Sequence, residues 1–166
     1  MKKLIAVYPG SFDPVTYGHL DILRRSIKIF EKIVIGITDN PRKSHLFSIE
    51  ERIGFLERAT EDLTTVSITH FNCLLVDFAS QIGANAIIKG LRALSDFDYE
   101  LQMSLTNRRL NKDVETFFMM ASEESSFVSS TMIKEIAALQ GDISSMVPDF
   151  VEEAIADRLS KKPGDQ

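Results

Sequence analysis

The sequence predicts an α/β fold in which buried strands alternate with helices around a parallel sheet. The first observation is the short apolar run at residues 4–8, which lacks the alternation of a half-exposed strand and so indicates a strand covered on both faces. The second is the helical spacing of four apolar residues soon after it, Leu20, Leu23, Ile27 and Phe30. The third is that strand-like runs and helix-like stretches go on alternating along the chain. A strand, a turn and a helix are therefore the repeating unit.

The later elements carry their own start and stop signals. Ser48 and Glu51 form a capping box that predicts the start of a second helix. Gly83 and Gly141 are predicted to end two helices, and Pro148 stands near the first position of the last one. The predicted strands are residues 4–8, 33–38, 66–69, 86–88 and 117–120, and the predicted later helices are residues 49–59, 74–82, 96–111, 130–139 and one that begins near residue 148.

These elements predict a doubly wound, five-stranded parallel sheet of the dinucleotide-binding (Rossmann-like) class, with C-terminal helices. A length of 166 residues with 44% hydrophobic content predicts one domain with a substantial core, and we expect it to span residues 1–160, with a flexible tail at 161–166. The net charge of −5 argues against a general binder of nucleic acid or anionic membranes. Cys73 is the only cysteine, which excludes an intrachain disulfide, and we expect it to pack in the core.

The beginning of the sequence contains too few apolar residues before Pro9 for a signal peptide or a membrane span. Together with the single cysteine, this predicts a cytoplasmic protein in a reducing compartment. The apolar residues 117–120 are predicted to be strand core rather than part of a cofactor site.

The turn after the first strand carries the most informative motif. It reads Gly10-Ser11-Phe12-Asp13-Pro14 and is followed by Thr16-Tyr17-Gly18-His19. It lacks the Gly-Lys-Ser or Gly-Lys-Thr of a Walker loop, and it is not the G-x-G-x-x-G fingerprint. Its histidine falls in the first turn of a helix, where unpaired N–H groups and the helix dipole favour an anion.

Four polar segments each follow a strand of the predicted sheet. Because the carboxyl ends of parallel strands lie at one edge of the sheet, these segments are expected to meet there. They are residues 10–19, 42–43, 89–92 and 125–131. They bring Lys43, Lys89, Arg92 and His19 together in an otherwise acidic protein, which indicates a phosphate site. The three histidines are scattered without metal-ligand spacing, and no activated nucleophile is evident. The pattern favours phosphoryl or nucleotidyl transfer by positioning and charge stabilisation.

The residues at positions 16–19 resemble the T/H-x-G-H motif of the nucleotidylyltransferase superfamily. More specifically, the chain is similar to the phosphopantetheine adenylyltransferase family over almost its whole length. The segments that carry this resemblance are residues 8–14, 46–52, 90–93, 96–100, 107–108, 126–131 and 140–142. The family commonly has Arg at the position of Lys89, Asp in the segment that holds Cys73, and an aromatic residue at Ser125.

The resemblance implies an enzyme of coenzyme A biosynthesis that transfers the adenylyl group of ATP to 4′-phosphopantetheine without a covalent enzyme intermediate. It implies Mg²⁺ held mainly by ligand phosphates with no protein metal ligands, coenzyme A as a feedback ligand, and a homohexamer. The implied catalytic residues are His19, Lys43 and Arg92. The implied ATP-binding residues are Ser11, Phe12, His19, Gly90, Leu91, Arg92, Glu100, Ser125, Ser126, Phe127, Val128, Ser129, Ser130 and Thr131. The implied acceptor-binding residues are Ser11, Lys43, Leu75 and Lys89.

Three other interpretations remain open. A sibling enzyme on the same scaffold would use nicotinamide mononucleotide or glycerol 3-phosphate as acceptor. A regulatory module would bind nucleotide without turnover, although intact His19, Lys43 and Ser129 argue against lost catalysis. A core like that of a tRNA synthetase shares a related histidine motif, but the length and acidity of this chain argue against it.

Overall fold

The computed structural model describes residues 4–38, 44–92, 94–126 and 128–160. The strands are β1 (Ile5–Gly10), β2 (Lys32–Ile37), β3 (Val66–His70), β4 (Ala86–Leu91) and β5 (Glu115–Met120). The helices are α1 (Tyr17–Ser26), α2 (Ile49–Ala59), α3 (Leu75–Gln81), α4 (Leu94–Leu110), α5 (Ser130–Ala138) and α6 (Asp149–Ser160), and a short 3₁₀ turn covers Glu123–Ser125.

The strands form one parallel sheet in the order β3-β2-β1-β4-β5. The chain first winds outward from β1 to β3 and then crosses back to place β4 on the other side of β1. In the register of that pair, Ala6 lies opposite Ala86 and Val7 opposite Ile87. The predicted doubly wound, five-stranded sheet is therefore confirmed. The reversal of strand order between β1 and β4 creates a crevice at their carboxyl ends.

Apolar side chains cover both faces of the sheet, as the continuous apolar runs predicted. One face packs against α1, α2, α5 and α6, through buried residues that include Leu23, Leu56, Ile133 and Ile155. The other face packs against α3 through Val76, Phe78 and Ala79. Helix α4 lies against β4, β5 and α3. The central strands are thus rigidly held, so the turns at their carboxyl ends are presented from a fixed frame.

Two of the predicted helix signals are confirmed. At the start of α2 the Glu51 N–H donates to the Ser48 hydroxyl at 3.3 Å, and the Ser48 N–H donates to the Glu51 carboxylate at 2.8 Å. After α3, Gly83 has a φ of +68°, the left-handed conformation expected of a helix-ending glycine.

Gly141 follows the end of a helix as predicted, but it is not itself the left-handed residue there. Helix α5 ends at Ala138, and the left-handed residue is Gln140, with a φ of 61°. Glycine is needed at position 141 for space instead, because a Cβ there would lie 2.5 Å from the Ile136 Cγ2 atom. The N–H of Gly141 donates to the Ile136 carbonyl at 2.9 Å, which explains the close approach.

Two strand predictions also need correction. Strand β4 runs on to Leu91, which pairs with Met120, so Lys89 lies inside the strand rather than after it. Phe117 and Met120 were expected in the core, but they are 40% and 64% exposed. Their strand forms the edge of the sheet, where one neighbour is missing and covering is incomplete.

In the described part of the chain, none of the helices combines the length and the apolar character needed to span a lipid bilayer. The predicted tail at residues 161–166 lies outside the described residues.

Candidate active site

A cavity of about 390 Å³ opens at the crevice between the carboxyl ends of β1 and β4. Its wall comes from the turn between β1 and α1, from the end of β4, and from the beginning of α5. The sequence-predicted residues that line it are Ser11, Phe12, His19, Lys89, Gly90, Arg92, Glu100, Val128, Ser129, Ser130 and Thr131. Side chains far apart in the sequence thus meet at the place where open α/β sheets bind their ligands.

The turn between β1 and α1 is shaped by Phe12, which has a positive φ of 47° and is buried. Its ring packs edge-on against Tyr8 at 5.4 Å and against His19 at 4.9 Å. Gly10 makes room for this ring, because a Cβ there would lie 2.9 Å from the Phe12 Cε2 atom. The turn therefore holds the imidazole of His19 by direct ring contact.

His19 also belongs to the N-terminal cap of α1. Its N–H donates to the Thr16 hydroxyl at 3.2 Å, and the Thr16 N–H donates to the His19 Nδ1 atom at 3.1 Å. Because Nδ1 accepts this bond, the proton of the neutral ring resides on Nε2. Burial, reinforced by the positive charge of Arg92, lowers the pKa of His19 to about 4. At neutral pH the residue is an uncharged donor that presents an N–H to a ligand.

The carboxylate of Asp13 ties three segments together beside the cavity. It accepts from the Leu46 N–H and the Phe47 N–H at 2.9 Å each and from the Lys134 ammonium at 2.8 Å. Although burial alone would raise the pKa of Asp13, the hydrogen bonds from Lys134 and from the two backbone N–H groups outweigh it, and the pKa lies below its ordinary value. The group is therefore ionised and fully bonded at neutral pH.

Lys134 and Asp13 also line the cavity, although no pattern in the sequence pointed to a role for either. Lys134 lies four residues after Ser130 on α5, and this spacing places both on one helix face. Arg52 was noted only as part of the segment 46–52 that carries the family resemblance, with no role of its own. It is 1% exposed, and its Nη1 group donates to the Ser11 carbonyl at 2.8 Å, which braces the turn after β1 from α2.

The predicted ligand cation Lys89 lies 3.3 Å from the Glu100 carboxylate, and both side chains are largely buried. The pair joins β4 to α4. Each partner offsets the charge of the other, so neither suffers the full cost of desolvation.

The beginning of α5 contributes backbone N–H groups and two hydroxyls. The Ser129 hydroxyl accepts from the Met132 N–H at 3.1 Å and so caps α5, and its own O–H is left for a ligand. The Ser130 hydroxyl donates to the Pro14 carbonyl at 2.8 Å, so in this conformation its proton is used within the protein. The Arg92 guanidinium lies 3.5 Å from the Val128 carbonyl next to this helix end.

A second cavity of about 340 Å³ adjoins the first and shares Ser11 and Lys89 with it. Its other wall is more apolar and includes Phe71, Leu74 and Leu75. Leu75 was a predicted acceptor-binding residue. Cys73 also lines this cavity and is exposed, so the prediction that it packs in the core is wrong. The segment that follows β3 turns outward at this point, which its apolar neighbours in the sequence did not reveal.

Not every predicted residue reaches a cavity. Leu91 is buried at the end of β4 and does not line the cavity. The Ser126 hydroxyl donates a 3.0 Å hydrogen bond to the Glu123 carbonyl, and this residue does not line the cavity either. Lys43 and Phe127 lie outside the described residues, as does the side chain of Ser125.

Comparison with known proteins agrees with this geometry. The family model of cytidylyltransferase-like proteins matches residues 7–136. A phosphopantetheine adenylyltransferase of Caldanaerobacter subterraneus is 48% identical over 157 residues, which cover 95% of this chain and 98% of the relative. Those of Desulfitobacterium hafniense and Staphylococcus saprophyticus are 53% and 50% identical, over 91% and 97% of this chain and 93% and 100% of their own lengths.

Solved structures with a similar fold come from more distant proteins. One is a putative nicotinate-nucleotide adenylyltransferase from Vibrio parahaemolyticus, with a TM-score of 0.72, 16% identity, and 97% of both chains covered. Another is nicotinic acid mononucleotide adenylyltransferase from Plasmodium falciparum, with a TM-score of 0.68, 16% identity and 96% of both chains covered. At this identity they show the shared fold alone. Taken with the close relatives, the comparisons show that this chain belongs to the phosphopantetheine adenylyltransferases, within the cytidylyltransferase-like family.

Proposed function

We propose that this protein transfers the adenylyl group of ATP to 4′-phosphopantetheine, which yields dephospho-coenzyme A and pyrophosphate. The observation that carries the proposal is the pair of adjoining cavities that share Ser11 and Lys89. A reaction between two phosphorylated substrates requires two such compartments that meet where the phosphates react.

ATP occupies the first cavity in this proposal. Its wall offers the Arg92 guanidinium, the Lys134 ammonium and the Ser129 hydroxyl, together with the N–H groups at the start of α5. These groups are donors, and phosphate oxygens are acceptors. The N-terminus of a nine-residue helix adds a favourable field for the negative charge of the triphosphate.

The acceptor occupies the second cavity, with its pantetheine arm along Leu74, Leu75 and Phe71. Its terminal phosphate lies at the junction, where Lys89 supplies positive charge. The family resemblance adds Lys43 as a second cation for this phosphate. A lysine in place of the usual arginine at position 89 keeps the attraction but loses the planar fork of a guanidinium.

In the proposed reaction an oxygen of the acceptor phosphate attacks the α-phosphorus of ATP, and the bond between the α-phosphorus and the bridging oxygen to the β-phosphorus breaks. Pyrophosphate leaves with the electron pair of that bond. The attacking nucleophile belongs to the substrate, so no covalent enzyme intermediate forms. Neutral His19 donates from Nε2 to an α-phosphate oxygen whose charge grows during transfer, and Arg92 and the start of α5 hold the leaving pyrophosphate.

Mg²⁺ is the proposed metal ion, bound to phosphate oxygens of the substrates. The carboxylates that line the first cavity, Asp13 and Glu100, are paired with lysines. Within the described ranges no three His, Cys, Asp or Glu side chains cluster as a metal site would require. This arrangement fits an ion that enters with ATP and retains several water ligands, as Mg²⁺ does. When bound, Mg²⁺ neutralises phosphate charge.

The direct test is release of pyrophosphate from ATP and Mg²⁺ with each of three acceptors. We expect turnover with 4′-phosphopantetheine and little or none with nicotinamide mononucleotide or glycerol 3-phosphate. A preference for either comparator would replace the proposed acceptor. Binding of ATP without release of pyrophosphate from any acceptor would favour a regulatory module.

We further propose a cytoplasmic homohexamer that coenzyme A inhibits by competing for the acceptor cavity. Support for assembly comes from α4, whose apolar side chains Tyr99, Met103 and Leu105 are exposed to 65%, 38% and 60%. Coenzyme A contains the same pantetheine arm as the acceptor, so it fits the same compartment. Inhibition should therefore weaken as the concentration of 4′-phosphopantetheine rises.

A further inference from the structure

Tyr8 is a polar residue of the cavity wall that neither the sequence analysis nor the proposed mechanism uses. It lies in β1 beneath the first cavity, is 5% exposed and lines that cavity. Within the described ranges its hydroxyl forms no hydrogen bond. The hydroxyl is thus a donor that the protein leaves available at the wall of a binding cavity, where a ligand can accept from it.

The position of this hydroxyl is well defined. The ring packs edge-on against Phe12 at 5.4 Å and belongs to the core between the sheet and α1, so it has little rotational freedom. The charges that act on the hydroxyl are those of Asp21 and Arg92. Asp21 is engaged elsewhere, since it accepts from Arg25 at 3.0 Å and from the Ser122 N–H at 3.4 Å. Arg92 is therefore the charged group of the cavity that works beside Tyr8.

We propose that the Tyr8 hydroxyl donates a hydrogen bond to the phosphate group that Arg92 binds, in the portion of ATP that leaves as pyrophosphate. The inference rests on the proposed function, since it takes the nucleotide to lie in the first cavity. It adds a binding residue to that site and names the part of the ligand that the residue recognises.

The Tyr8 hydroxyl is chemically suited to a phosphate, whose oxygens only accept hydrogen bonds. Burial, with a further contribution from Asp21, raises the pKa of Tyr8 far above its ordinary value, so the hydroxyl keeps its proton and remains a donor. The cavity already holds Arg92, Lys89 and Lys134, and a further cation would repel them in the ligand-free protein. A neutral donor adds a bond to the phosphate without that cost.

The test compares Tyr8→Phe with the parent protein in calorimetric binding of inorganic pyrophosphate, ATP and AMP. Phenylalanine keeps the ring contacts and removes only the hydroxyl. We expect affinity for pyrophosphate and for ATP to fall by about three- to tenfold, the usual worth of one such bond, and affinity for AMP to stay unchanged. The matched control is Tyr17→Phe, because Tyr17 is exposed and lies outside both cavities.

Thermal unfolding separates a binding role from a structural one. Without ligand, Tyr8→Phe should melt at about the same temperature as the parent, since it keeps the packed ring and removes a hydroxyl that bonds to no described residue. With pyrophosphate, the rise in melting temperature should be smaller than in the parent. Equal pyrophosphate affinity in parent and variant would overturn the inference, as would a loss confined to AMP or a ligand-free variant that melts lower. The binding and melting measurements do not depend on the pyrophosphate-release assay with the three acceptors. If the parent protein shows no turnover in that assay, the proposed function is wrong, but the inference about Tyr8 is still tested by binding.

Discussion

The imidazole of His19 has a structural task as part of a helix cap, and the proposed mechanism gives it a chemical task as well. The Nδ1 atom of His19 accepts from the Thr16 N–H and so completes the cap of α1. This bond also selects the tautomer, because a ring that accepts at Nδ1 must carry its proton at Nε2. Phe12 fixes the plane of the ring from the side. The result is a preorganised neutral donor, which stabilises developing charge better than a mobile one.

Replacement of His19 by alanine tests this role. We expect kcat to fall by about two to three powers of ten, the cost of losing one preorganised donor, while ATP still binds. Steady-state pyrophosphate release and calorimetry measure the two effects. His70→Ala is the control, because His70 is exposed at the end of β3 and lies outside both cavities. An unchanged kcat in His19→Ala would remove the residue from the mechanism.

The shifted pKa of His19 predicts how stability depends on pH. The ordinary value is 6.5, and burial with the nearby Arg92 charge lowers the pKa of the folded state to about 4. As pH falls, the unfolded chain takes up this proton first, so the stabilising contribution is complete above pH 6.5 and is lost towards pH 4.

Urea unfolding of the parent and of His19→Gln, at neutral pH and at about pH 5, measures that contribution. The free energy of unfolding should fall more for the parent than for the variant, which lacks the titrating group. An equal fall in both proteins would mean that His19 keeps its ordinary pKa in the folded state.

At the scale of elements, the cavity depends on three segments held in one arrangement. The turn after β1 is bonded to the segment before α2 through Asp13 and to α2 itself through Arg52. The same Asp13 carboxylate reaches Lys134 on α5. Each bond joins segments that are far apart in sequence, so these bonds hold the walls of the site in one arrangement.

Gly10→Ala tests how strongly the turn after β1 controls the position of the His19 ring, to which the proposed mechanism gives a catalytic role. The added Cβ would lie 2.9 Å from the buried Phe12 ring, which must shift and take its contact with His19 along. We expect kcat to fall by about tenfold or more, since small displacements of positioned groups are costly. Gly54→Ala is the control, because its Cβ meets nothing within 4 Å on α2.

The control variant should unfold with a free energy about 0.5–1 kcal/mol higher than the parent, as alanine favours a helix more than glycine does. Its activity should match the parent. If Gly10→Ala also retained full activity, Phe12 could move without disturbing His19, and the proposed support of the imidazole by that ring would be wrong.

At the scale of the whole molecule, strand order places the crevice that holds the site, and α4 forms the surface proposed for association between copies of the chain. The crevice between β1 and β4 exists because the winding direction reverses there. Helix α4 covers β4 and β5 yet leaves large apolar side chains in contact with water. Such a surface is costly to leave exposed and favours association between copies of the chain.

Leu105→Lys tests that association. Leu105 is 60% exposed on α4, and a buried lysine at an interface would be unpaired, so we expect the proposed hexamer to dissociate into smaller species. Sedimentation velocity measures the change. Leu139→Lys is the control, since Leu139 is 85% exposed after α5 and distant in sequence from α4. A parent protein that sediments as a monomer would contradict the proposal of assembly.

Local patterns were sufficient for the architecture and for part of the site. Short apolar stretches predicted all five strands, and the polar segments that follow four of them predicted a phosphate site at the edge where the structure has a cavity lined by His19. Local sequence did not predict the exposure of Cys73 or Phe117, because burial depends on which elements cover a segment. Nor did it reveal that Asp13 pairs with Lys134, since the two are far apart along the chain.

The sequence by itself therefore determined which strands and helices follow one another along the chain, where helices are capped, and the family. It could do so because propensity, periodicity and motif spacing act between near neighbours in the sequence. Only the tertiary structure decided the tautomer of His19, the unpartnered hydroxyl of Tyr8 and the division of the site into two cavities. Those features depend on distances between elements, which arise when the sheet and its helices pack together.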